Sequence, residues 1–124
     1  MEGNALERAK ELQERTKKFA LDVIRLFRSL PKTDEARIIG RQMLDSATSV
    51  AANYRAVCRA RSRAEFAAKM GIVVEETDET LFWLEMLVAS EIVQSDKVQD
   101  LINESNQLLA IFVASQRTAR RGSK

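Results

Sequence analysis

Apolar side chains recur in this chain at alternating steps of three and four residues, in four stretches separated by a proline, capping residues or polar turns. That spacing keeps one stripe of a 3.6-residue helix turned towards a core and does not suit the two-residue alternation of a half-buried strand. The first stretch, residues 5–30, carries Ala5, Ala9, Leu12, Thr16, Phe19, Val23, Leu26 and Leu30 on one seam. It ends at Pro31, which disfavours helical geometry in the residue before it. The second, about 34–59, opens at Thr33 or Asp34 as a cap and runs through Ile39 or Gly40, Met43, Ala47, Val50, Tyr54 and Val57. Around Ser46 to Ala52 nearly every side chain is small, so this helix is expected to be central and closely approached.

Ser62 and Glu65 form the Ser-x-x-Glu pattern of a capping box and open a third helix, about 64–89. Its seam reads Phe66, Met70, Val73, Thr77, Leu81 or Thr80, Leu84 and Val88. Ser95 or Asp96 caps a fourth, about 96–116, with Val98, Leu101, Ser105, Leu108 and Phe112 inward. After Phe112 the pattern dissolves, and residues 117–124 read as a frayed basic tail. The expected fold is all-α: one domain holding an antiparallel up-down-up-down four-helix bundle. Apolar residues exceed one seam at Ile38 with Ile39, and at Ile72 with Val73 and Val74, which calls for a further subunit.

Histidine is absent from the 124 residues, which removes the usual general base and the commonest zinc ligand. The one cysteine, Cys58, excludes an internal disulfide. It reads as a small buried hydrophobe, with Arg55 and Arg59 nearby keeping open a thiol of lowered pKa. No apolar run is long enough to span a bilayer, and the charged N-terminus lacks the apolar core of a signal peptide, so a cytoplasmic location is expected. No cofactor, metal ion or catalytic group is expected.

Net charge is only +2, but it is segregated. Arg55, Arg59, Arg61, Arg63 and Lys69 make a basic elbow broken by Glu65, whereas Glu75, Glu76, Asp78, Glu79, Glu85 and Glu91 follow with no cation among them. The elbow arginines suit phosphate, because the guanidinium fork binds two oxygens at once. The alternative is that they pair with the acidic face of the third helix, in the same or a neighbouring subunit. Glu75, Glu76 and Glu79 match the first half of a Glu-Glu-x-x-Glu magnesium motif, but no Glu-x-x-Asp follows, so a magnesium-dependent nucleotide hydrolase is the weakest reading. Trp83 is either a stacking platform or packing at a margin or interface. Ala47, Val50, Ala51 and Tyr54 belong to the core or assembly surface.

The run SATSVAANYRAVCRARSRAEF, followed by KMGIVVEETDETLFWLEML, resembles the small bacterial four-helix-bundle proteins encoded in intervening sequences of the 23S ribosomal RNA gene. The resemblance is close from Phe19 to Leu87 and elsewhere rests on helix pattern. It implies a ring-like homopentamer with no catalytic activity or cofactor, acting as an assembly or scaffold. More distantly, the chain is similar to accessory proteins of diversity-generating retroelements. That likeness implies an RNA- or DNA-binding role beside a reverse transcriptase.

Overall fold

The computed structural model describes residues 2–122, with side chains described for 4–121. Four helices account for almost all of it: α1 (Glu2–Ser29), α2 (Asp34–Val57), α3 (Arg63–Ala89) and α4 (Ser95–Gly122). Each boundary has a local cause. Pro31 stops α1, and Thr33, in extended backbone, then accepts the Ala36 amide on its hydroxyl at 3.3 Å to open α2. Ser62 does the same for α3, accepting from Glu65 at 3.0 Å. Glu65 reaches back to the Arg61 amide at 3.3 Å, one residue earlier than the reciprocal bond of a standard capping box.

Helix α3 closes in a Schellman arrangement. The Ile92 amide donates to Leu87 at 3.0 Å and the Glu91 amide to Val88 at 2.9 Å, with Glu91 left-handed at φ 63°. Glu91 therefore stands outside the helix whose acidic run it seemed to end.

The helices follow one another up and down, α2 against α1 and α3, and α3 against α2 and α4, while α1 and α4 barely touch. Phe19, Val23, Met43, Met70, Leu84 and Phe112 fill the middle, each almost fully buried. Closeness is built in by small residues. A Cβ on Gly40 would lie 2.8 Å from Leu30 Cδ1 and 3.0 Å from the Phe27 ring, so α1 and α2 converge there.

Of the pairs that the spacing left open, Gly40 and Thr80 face the core, and the inward stripe departs from the expected one at Leu87, which is buried where Val88 was expected. Helix α3 is apolar on two sides because it packs on two neighbours, so its sequence admits more than one register. The small side chains of Ser46 and Thr80 settle the choice by letting α2 and α3 approach.

Two ends depart from expectation. At the start of α1, Ala5 is exposed and Ala9 half-buried. Gln13 already lies within hydrogen-bond reach of Cys58, so the turns before it run past the end of α2 and have nothing there to pack on. At the other terminus, residues 117–122 are not a frayed tail but continue α4. Ala119 is buried, and Gln116 lies on α3, its amide oxygen accepting from the Gly71 N–H at 3.3 Å. Arg120 and Arg121 also suit the negative end of the helix dipole. Residues 123–124 of the expected tail lie outside the described residues.

Candidate functional site

Helix α2 stops at Val57, two residues before the expected end, and this reshapes the elbow. The Arg59 amide donates to Ala56 and the Ala60 amide to Val57, both at 3.0 Å, tightening the chain into a turn. Arg55, Arg59 and Arg63 therefore do not share one helical face. Arg55 sits in the last turn of α2, Arg59 and Arg61 in the connection, and Arg63 opens α3. All four are exposed. Lys69 is half-buried and pairs with Glu65 at 3.1 Å. That bond, with the Arg61 amide, holds the Glu65 carboxyl below its usual range. A surface pair of this kind adds little stability.

The acidic face of α3, at Glu75, Glu76, Asp78 and Glu79, makes no ion pair with Arg55, Arg59 or Arg61 among the described residues. Thr77 points into the core, and Glu75, Asp78 and Glu79 spread over the exposed surface to either side of it. Among the described residues, no three carboxylate or thiol groups converge as metal ligands would.

The other candidate residues have packing roles. Ala47 and Val50 are fully buried, Tyr54 stacks on Phe112 with ring centroids 5.4 Å apart, and Ala51 is half-buried. Trp83 is half-buried, edge-on to Phe82 at 4.9 Å, and its indole N–H is buried without a partner among the described residues. Cys58 corrects the expectation of a buried hydrophobe, since it caps α2 at the surface. Its thiol is not activated by the arginines. Partial burial pushes its pKa up against the lowering effect of hydrogen bonds with Tyr54 and Gln13, and burial likewise raises that of Tyr54.

The helical end of α4 adds what the sequence pattern did not join to the elbow. Up-down topology returns the C-terminus of α4 to the end where α2 finishes and α3 begins. Gln116 marks the level, its amide against Gly71 and accepting from Arg120 at 3.2 Å. One turn on from Gln116 is Arg120, and two turns back from Gly71 is Arg63. Arg117, Arg120 and Arg121, all exposed, thus stand at the same end of the bundle as the elbow. A seam step to Ala119 beyond Phe112 was the available signal, masked by the density of charge around it.

An all-helical up-down bundle with a basic end, an acidic flank and no convergent ligand cluster among the described residues is the class of protein these features define. The chain belongs to the 23S rRNA-intervening sequence protein family, whose model matches residues 8–114. It is also similar to a protein of unknown function from the S23 ribosomal protein family of Bacteroides thetaiotaomicron, whose crystal structure was solved at 1.70 Å. The two share 28% identity with a TM-score of 0.78, over 84% of this chain and 96% of that one. No relative is found among the curated proteins. No helix among the described residues is long and apolar enough to cross a membrane.

Proposed function

We propose that this protein is a non-catalytic, self-assembling scaffold of the cytoplasm, built as the ring-like homopentamer that the family resemblance implies. The supporting observation is apolar surface left over after the bundle has closed: Ile38 is 65% exposed, Phe82 49% and Ile72 45%. Isolated exposed apolar side chains are ordinary, but these lie on the two central helices, and Phe82 packs edge-on to Trp83. Light scattering coupled to size exclusion should give five times the 14.0 kDa chain mass. The paired change Ile72→Ser and Phe82→Ser should yield smaller particles that still melt cooperatively. A monomer at every concentration would overturn the reading.

A second reading is favoured by the exposure of Arg55 and Arg59, for which no side-chain partner is found among the described residues. In it, the elbow binds the phosphates of RNA or DNA, in the retroelement setting beside a reverse transcriptase. A filter-binding salt series on Arg55→Gln with Arg59→Gln tests this, since affinity depends less on salt when fewer phosphates are neutralised. Hydrolysis through Glu75, Glu76 and Glu79 finds no geometric support, because no three carboxylates converge among the described residues.

A further inference from the structure

Resting on the second reading, we infer that the nucleic-acid site is composite, formed by the elbow together with the last two turns of α4, and that its ligand is a duplex held by its phosphate backbone. Three observations carry this. The first is the continuation of α4 to Gly122, fixed by buried Ala119 and by Gln116 lying on Gly71. That packing holds Arg117, Arg120 and Arg121 on a helix instead of a loose tail, with Arg120 beside α3. The small side chains of Ala67, Ala68 and Gly71 leave a shallow groove there, with Arg120 on its α4 wall and Glu75 on its α3 wall.

The second observation is the charge collected at this end. Arg55, Arg59, Arg61, Arg63, Lys69, Arg117, Arg120 and Arg121 lie towards this end, against Glu65, which is paired with Lys69, and Glu75, which lines the groove beside Arg120. The first turns of α1 are mixed, bringing Glu7 and Glu11 beside Arg8 and Lys10. The opposite end is mixed as well, with Arg28, Lys32, Arg37 and Lys97 among Asp34, Glu35, Asp96 and Asp100. The field is therefore polarised along the bundle although the net charge is +2.

The third observation is which side chains this end lacks. Single strands are held largely by bases stacking on exposed aromatic rings. Here Tyr54 and Phe112 are buried and Phe66 is half-buried. The exposed ring of Phe82 lies about 28 Å along α3 from Arg63. A surface rich in guanidinium groups and without an exposed ring among the described residues suits the regular phosphates of a duplex, and it positions the ligand without reading its bases.

The test uses the full chain and a random-sequence duplex of about two helical turns, as RNA and as DNA, with the matching single strands. Wild type should bind both duplexes more tightly than either single strand, with a steep salt slope. Arg55→Gln with Arg59→Gln, and separately Arg117→Gln with Arg121→Gln, should each reduce the slope by about two phosphates' worth and the affinity by about tenfold. Arg117→Lys with Arg121→Lys should retain the slope. If only the elbow pair matters, the second reading survives and the composite site is overturned. If the lysine variant behaves like the glutamine one, the α4 residues act through packing and the composite site is again overturned. Equal binding of single strands overturns the duplex assignment, and absence of salt-dependent binding by wild type overturns both readings.

Discussion

The hydroxyls of Ser46 on α2 and Thr80 on α3 meet at 2.8 Å with both residues fully buried. Thr80 also lies 2.8 Å from the Glu76 carbonyl, and Ser46 donates to Met43 at 3.1 Å, so neither hydroxyl depends on the other alone. Ser46→Ala should therefore cost no more than about 1 kcal/mol. Ser46→Leu should cost about 1–3 kcal/mol, because added methylenes separate closely packed helices. Urea melts of the two variants check this, and equal losses would mean that the hydrogen bond, not the small size, matters at this position.

Arg15 joins α1 to α4 through a two-point contact with Glu104 at 2.7 and 2.8 Å, and Gln107 accepts from the same guanidinium at 2.9 Å. Little else links those helices. Both side chains are about one-third exposed, so the pair contributes on the order of 1 kcal/mol, less in high salt. Glu104→Gln should lower the melting temperature by a few degrees in dilute buffer, and by less in molar salt. Amide exchange should speed up first in α1.

Glu91 holds a left-handed conformation that costs a side-chain-bearing residue about 1–2 kcal/mol. Glu91→Gly should relieve most of that cost and stabilise the fold by about 1 kcal/mol, after allowing for the greater freedom of glycine in the unfolded chain. A rise in the urea midpoint with an unchanged slope is the expected result.

Cys58 is exposed, yet its thiol pKa is raised by partial burial. Near pH 8 it should alkylate more slowly than the same cysteine in urea-unfolded protein. The stability linked to its protonated form is fully present below the unfolded pKa and is lost as pH rises through the folded one. Cys58→Ser should therefore show a shallower decline in stability above pH 9 than wild type.

The indole N–H of Trp83 is buried without an acceptor among the described residues, so replacing it removes an unsatisfied donor. Trp83→Phe should change stability by less than about 1 kcal/mol, the smaller buried ring being offset by relief of that group. A drop of several kcal/mol would show that the indole makes an interaction the isolated chain does not contain.

By itself, the sequence determined the helical periods, the proline stop at Pro31, the cap at Ser62 and a cap at Thr33 or Asp34, of which the structure uses Thr33. These are local: each depends on backbone sterics or on a side chain reaching an amide within three residues. The charged elbow was equally legible, because the segregation of Arg55 to Lys69 from Glu75 to Glu91 is a property of order along the chain. Only the tertiary structure decided which of the apolar positions on α3 faced inward. Val88 and Leu87 are equally apolar, and the close approach at Ser46 and Thr80 set the register. Tertiary packing also converted residues 117–122 from an expected tail into the last two turns of α4, since the burial of Ala119 depends on a partner helix distant in sequence. The same packing placed Arg117, Arg120 and Arg121 at the same end of the bundle as the elbow. The spacing of charges along one strand of chain does not disclose which helix ends meet in space.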